Sequence, residues 1–210
     1  MREKMTDKTL KTFLDELASA APAPGGGSVA ALAGALGAAL ISMVSNLTIG
    51  NEKYADVQKE IDTILKKSEK LRQELTDLLE EDIEAYTKLS LTMKMPRGTE
   101  DEKKARVKAM DKALKAATDV PMRVAEACVA VIELCRPAAE KGNSNLISDV
   151  GVGILMAEAG LRSAALNVLI NLGWIKDEAF VQDSRKKLDS LLKGKPALRD
   201  AIYELVVSKL

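Results

Sequence analysis

The stretch from Pro22 to Gly50, PAPGGGSVAALAGALGAALISMVSNLTIG, sets the tightest limit on how this chain folds. A proline-bounded triple glycine runs straight into an apolar segment built mostly from Ala and Gly. A helix made of such small side chains gains stability by letting another backbone come close, either in a bundle core or between two chains. Gly25, Gly26 and Gly27 open backbone conformations closed to other residues, and Ser28 is a natural N-cap. The first helical N–H groups are therefore expected to face an anion or a carbonyl lying over the loop. A flexible turn uses the same residues, so on local grounds both readings stand.

Within that stretch, the apolar run from Val29 to Val44 is 16 residues long, too short and too weakly hydrophobic for a membrane span. The chain start, MREKMTDKTLKTF, is charged where a secretory signal would be apolar, which predicts a cytoplasmic protein with no membrane partner. The 31 basic residues balance 31 acidic ones and aromatics are scarce, so nothing attracts or stacks nucleic acid. There is no histidine and no CxxC, which removes a histidine base and argues against a metal site. Cys128 and Cys135, seven residues apart on one expected helix, lie about 10 Å apart and cannot form a disulfide. Proton chemistry falls to Asp, Glu, Lys, Tyr or Cys.

The rest of the chain has the helical period throughout. Leu10, Phe13, Leu14 and Leu17 mark a short amphipathic helix capped by Thr6 or Asp7, and Gly50 is a C-cap for the glycine-rich helix. From about Asp56 to Met93 an apolar stripe predicts one very long helix of roughly 57 Å, longer than a domain of this size is wide, which calls for a second chain. Pro96 and Gly98 end it, and Thr99 with Glu102 forms a capping box for the next helix, with core positions Val107, Met110 and Leu114. Pro121 is expected to start a further helix that Pro137 kinks or ends. Ser148 and Asp149 open a second apolar, glycine-containing helix to about Leu172. Asp177 and Pro196 begin the last two. The expectation is one all-α domain over residues 1–210, a bundle of one long helix and two Ala/Gly-rich core helices, assembled as a dimer.

Residues that break this pattern are the candidates for chemistry. Continuing the long helix's apolar stripe from Leu75 and Leu78 puts Asp82 and Tyr86 on the core-facing side, four apart and able to address one pocket. Burial would raise the pKa of Asp82 and suit it to acid–base work. The alternative is a carboxylate bridging to a neighbouring helix, and for Tyr86 a core tyrosine with its hydroxyl satisfied. Asp149, Ser163, Asn167 and Asn171 fall near one side of the second apolar helix. The asparagine amides suit either a heterocycle or a tie between helices, and Asp149 either an aminopyrimidine edge or a simple helix-start charge. Lys94 and Arg97, at the end of the long helix, suit an acidic ligand tail.

Taken in order, PAPGGGSVAALAGALGAALISMVSNLT, EDIEAY, MP followed by EDEKKAR, DVP, GNSNLISDV and NVLINL resemble the formiminotetrahydrofolate cyclodeaminase family, whose relatives include a methenyltetrahydrofolate cyclohydrolase. The resemblance covers about residues 6 to 193. It implies an all-helical homodimer acting on a tetrahydrofolate derivative without a prosthetic group or metal. The implied reaction is ring closure of 5-formiminotetrahydrofolate to 5,10-methenyltetrahydrofolate with loss of ammonia; the rivals are hydrolysis of the methenyl compound on the same scaffold and a noncatalytic folate-binding helical module that keeps the fold. It also implies that the family's catalytic aspartate falls on Asp82. Gly25, Gly26, Gly27, Ser28, Tyr86, Asp149, Asn167 and Asn171 are then expected to hold the folate, polyglutamylated or not. A separate formiminotransferase is the implied partner, because in animals the two activities share one chain.

Overall fold

The sequence's helical periodicities become seven α-helices in a computed structural model, which describes residues 3–210 and has no strand among them. In order they are α1 (Leu10–Leu17), α2 (Gly26–Asn46), α3 (Gln58–Met93), α4 (Glu100–Lys141), α5 (Ile147–Leu172), α6 (Glu178–Leu192) and α7 (Lys195–Val207). The capping box of Thr99 and Glu102 opens α4, and Asp177 accepts the Phe180 N–H to open α6, as the sequence predicts. α1 is capped by Thr9 instead of Thr6 or Asp7, which belong to a 3₁₀ turn just before it. α5 begins without a side-chain cap, so Ser148 and Asp149 lie inside its first turn. Gly50 lies past the end of α2 in a left-handed turn.

Four helices make the core. α2 packs on α3 and α5, and α4 closes the other side against the same two, with α6 and α7 laid outside. Small residues bring α2 and α5 together at the level of the backbone. A Cβ on Gly37 would stand 2.9 Å from the Gly153 carbonyl oxygen, and one on Gly160 would stand 3.0 Å from that of Ala30. The small-residue stripe therefore serves the core of a single chain. Cys128 and Cys135 are buried there as free thiols, and desolvation pushes both up to about 12. Two stretches, Gly26–Asn46 and Ser144–Leu172, are long and apolar enough to cross a membrane, more than the 16-residue run suggested. Here half or more of their most apolar windows is buried at the centre of the bundle.

Two expectations fail at α4. Pro121 lies inside it and starts no further helix, Pro137 does not end it, and at 42 residues it is longer than the 36-residue α3. Pro121 has no N–H to give the Ala117 carbonyl one turn back, the usual reason a helix breaks there. That oxygen instead accepts a 2.8 Å hydrogen bond from Asn171 Nδ2 on α5. α3 is thus matched by a longer neighbour in its own chain, and its length does not call for a second one.

The lengths of these helices shape the site. α2 begins beside Asp82, whereas from Asp82 to Met93 α3 continues for about 16 Å at roughly 1.5 Å per residue. Past the first turn of α2 the four-helix core becomes three helices, and a cavity opens in the missing helix's place.

Candidate active site

The cavity has a volume of about 1120 Å³, just above the usual range for small-molecule sites. Its middle is apolar, with Ala85, Leu89, Leu114, Ala117 and Pro121 from α3 and α4. The glycine loop and Asp82 form one end, and Met93, Arg106 and Met110 contribute to the wall towards the end of α3.

Asp82 reaches this position because Gly27 has no side chain. A Cβ there would lie 2.0 Å from Asp82 Oδ1, inside any possible contact, so the carboxyl group rests directly on the first turn of α2. No positive φ is used at Gly25, Gly26 or Gly27; Gly27 supplies space and not an unusual conformation. The Ser28 hydroxyl donates to Asp82 Oδ2 at 2.8 Å. The anion expected at the N-terminus of α2 is thus the chain's own carboxyl group. Burial raises the Asp82 pKa above the ordinary carboxylate range, and the Ser28 hydroxyl and backbone N–H pull less strongly the other way. The nearby cation Arg123 is engaged by Glu81, and no basic side chain among the described residues pairs with Asp82. A carboxyl group raised in pKa, without a counter-ion and facing an apolar cavity can carry a proton or face a cation.

The structure gathers most of the sequence candidates here. Gly25, Gly26, Gly27, Asp82, Tyr86, Asn167 and Asn171 all line the cavity. Ser28 is fully buried with its hydroxyl given to Asp82, so it supports the carboxyl group and does not face a ligand. Tyr86 is no core tyrosine: one turn past Asp82 there is no α2 left to cover it, and it is 41% exposed at the cavity. Asn167 Nδ2 donates to the Ser163 carbonyl in its own helix, which holds the amide beside Gly26. Asn171 ties α5 to α4, the structural alternative for that residue. Asp149 is in the first turn of α5, about 27 Å along the helix from Asn167, outside this cavity. Lys94 and Arg97 do not line it either.

Sequence reasoning missed Arg106 and Trp174, both of which line the cavity. Arg106 sits in a charged run that reads as a solvated face. Stepping back by four from Leu114 and Met110, however, lands on Arg106, whereas Val107, expected in the core, is 57% exposed. Trp174 is the chain's single tryptophan, just past the end of α5 and 72% exposed.

Residues 9–190 match the family model described as formiminotransferase-cyclodeaminase. A methenyltetrahydrofolate cyclohydrolase of Methylorubrum extorquens is 50% identical over 97% of this chain and 98% of that relative. The formimidoyltransferase-cyclodeaminase of Rattus norvegicus is 32% identical over 91% of this chain, which spans only 35% of the rat protein's length. The crystal structure of formiminotetrahydrofolate cyclodeaminase from Thermotoga maritima superposes with a TM-score of 0.83 at 33% identity, covering 99% of this chain and 98% of that one. A match this complete, over the helices that build the Asp82 cavity, leaves one conclusion: the chain belongs to the formiminotransferase-cyclodeaminase family.

Proposed function

We propose that the chain is an enzyme of one-carbon folate chemistry, converting 5-formiminotetrahydrofolate to 5,10-methenyltetrahydrofolate and ammonia, with Asp82 as its proton carrier. The observation that carries this reading is the Asp82 carboxyl group, raised in pKa and without a cation partner, at the end of an apolar cavity. N10 of the folate attacks the amidinium carbon of the formimino group, forming the C–N10 bond while the C=N π pair moves onto the imino nitrogen. The proton on N10 passes to Asp82 and from it to the former imino nitrogen. The C–N bond to that nitrogen then breaks, ammonia leaves, and the positive charge stays on the methenyl bridge. The ionised carboxylate stabilises the cation at both ends of this path.

The 50% identity to the M. extorquens cyclohydrolase, over nearly the whole of both chains, favours a second reading. There water attacks the methenyl carbon, one of its protons passes through Asp82 to N5, and the C–N5 bond breaks while the remaining hydroxyl proton is released to solvent, leaving the formyl group on N10. Purified protein supplied with each folate decides between them. Methenyl absorbance that rises with the formimino compound supports the first, absorbance that falls with the methenyl compound supports the second, and no change in either refutes both.

Two further parts of the proposal rest on other features. Val29, Leu36 and Met43 on α2, with Leu47 just past its end, and Val152, Leu155, Leu166 and Ile170 on α5, are exposed apolar residues on two adjoining helices. A second copy of this chain is the proposed cover, making a homodimer. Leu166→Glu should then yield monomers in sedimentation; a wild-type monomer would refute it. The cytoplasm, where reduced folates are used, is the proposed location, with a separate formiminotransferase supplying the formimino substrate. Fractionation of cells tests the first, and coupled turnover of the two enzymes tests the second.

A further inference from the structure

We infer that Arg106 anchors a carboxylate of the substrate's glutamate moiety, at the far end of the cavity from Asp82. This rests on the folate reading above and adds to it a residue that selects the tail of the substrate.

Arg106 is a cation whose donors are largely unspent. Its Nε is buried with no hydrogen-bond partner, and its sole contact through Nη2 is a long 3.4 Å bond to the Met93 carbonyl. No carboxylate among the described residues forms an ion pair with it, whereas Arg123 is held by Glu81 and Arg199 by Asp200 and Glu158. A guanidinium presents five donors in a planar fork that fits a carboxylate through two parallel bonds. Leaving one half-buried with a buried N–H unpaired is unfavourable, and an anionic ligand group removes that cost.

The position fits the same substrate. The Met93 carbonyl that Arg106 touches lies about 16 Å along α3 from Asp82, at roughly 1.5 Å per residue. Between them the cavity wall is apolar: Ala85, Leu89 and Met110 flank the path. In a reduced folate, the nitrogens that carry the one-carbon unit are followed by an aromatic ring, an amide and then the glutamate carboxylates. With the reacting carbon at Asp82, the ring lies on the apolar wall and the carboxylates come to the guanidinium. Lys108 and Lys176 also line the cavity and form no ion pair among the described residues, and the one lining carboxylate besides Asp82, Asp111, is paired with Lys115.

The test is a double cycle on protein and ligand. Binding of 5,10-methenyltetrahydrofolate and of its pteroate counterpart, which lacks glutamate, is followed by quenching of Trp174 fluorescence in wild type, Arg106→Gln and Arg106→Lys. Wild type should prefer the glutamate form about tenfold to hundredfold, Arg106→Gln should lose that preference while binding the pteroate form as wild type does, and Arg106→Lys should keep part of it. An equal preference in wild type and Arg106→Gln overturns the anchor while leaving the folate reading intact. Weakening of both ligands alike in Arg106→Gln also overturns it, in favour of a structural role. Wild type that binds neither ligand overturns both the anchor and the folate reading.

Discussion

On one side of the first turn of α2 the bundle has four helices packed backbone to backbone; on the other it has three helices and a cavity. The two regions use the same device for opposite ends. At Gly160 a missing side chain lets α5 press on α2 and on the Cys128 thiol. At Gly27 a missing side chain lets a carboxyl group press on a helix terminus. The first contact is between apolar groups and backbone and yields stability; the second desolvates a charge and costs stability. The difference suggests that the packed region is there to hold the other in place, and that the functional groups gather where packing stops.

The largest expected effect breaks the working region alone. Asp82→Asn should lower turnover by about 10² to 10⁴ while leaving thermal stability unchanged or raised, since it removes a buried charge yet still accepts the Ser28 bond. A marked loss of stability with turnover retained would reverse the roles assigned to the two regions. The pH dependence has a definite sign. The folded state holds the Asp82 proton to higher pH than the unfolded state does, so the group's contribution to stability falls as pH rises from the ordinary carboxylate range through the raised value. Glu69, Glu102 and Asp177, whose pKa values are lowered, contribute the opposite slope in both proteins, so denaturant titrations at several pH values should show the Asp82 slope in the difference between wild type and Asp82→Asn. Turnover should fall as pH drops through the same raised value, because the carboxylate must be ionised to accept a proton.

The two glycines sharpen the contrast. Gly27→Ala puts a Cβ on the Asp82 carboxyl group and should cost activity out of proportion to stability. Gly160→Ala gains roughly 1 kcal/mol of helix propensity but meets backbone atoms of Ala30 and Gly34 that cannot swing aside, so overpacking of about 1–3 kcal/mol should outweigh it. Midpoints of denaturation and kcat/KM, measured for both variants, check the pair. Parallel losses in both quantities would show that the regions are not separable.

How much of this was legible in the sequence follows the same division. The packed region obeys period and composition, and the helices, the tight Ala/Gly segment and the inward turn of Asp82 could all be read from spacing. What could not be read depended on a partner distant in the chain. Ser28 has the residue type of a cap, and only the fold shows that its hydroxyl is used on Asp82, 54 residues away. Tyr86 continues the apolar stripe, but the stripe carries no information about where the neighbouring α2 ends. Arg106 is hidden in a charged run because charge alone does not say which side of a helix faces a cavity.

Pro121 is the clearest such case, and its test has the smallest expected effect. Its sequence signal says that the helix stops, and α4 continues because Asn171 serves the carbonyl that the proline leaves free. Asn171→Ala should therefore cost about 1–2 kcal/mol, the penalty of an unpaired buried carbonyl. In a Pro121→Ala background residue 121 regains its N–H, the helix can pair Ala117 itself, and the same Asn171→Ala change should cost close to nothing. The coupling of about 1–2 kcal/mol between the two positions would identify the bond as the reason α4 is unbroken. Equal costs in both backgrounds would dismiss it. Because Asn171 and Pro121 both line the cavity, the double variant is compared with Pro121→Ala alone: equal stability with KM unchanged leaves the amide a tie between helices, whereas equal stability with a raised KM makes it a contact to the substrate as well.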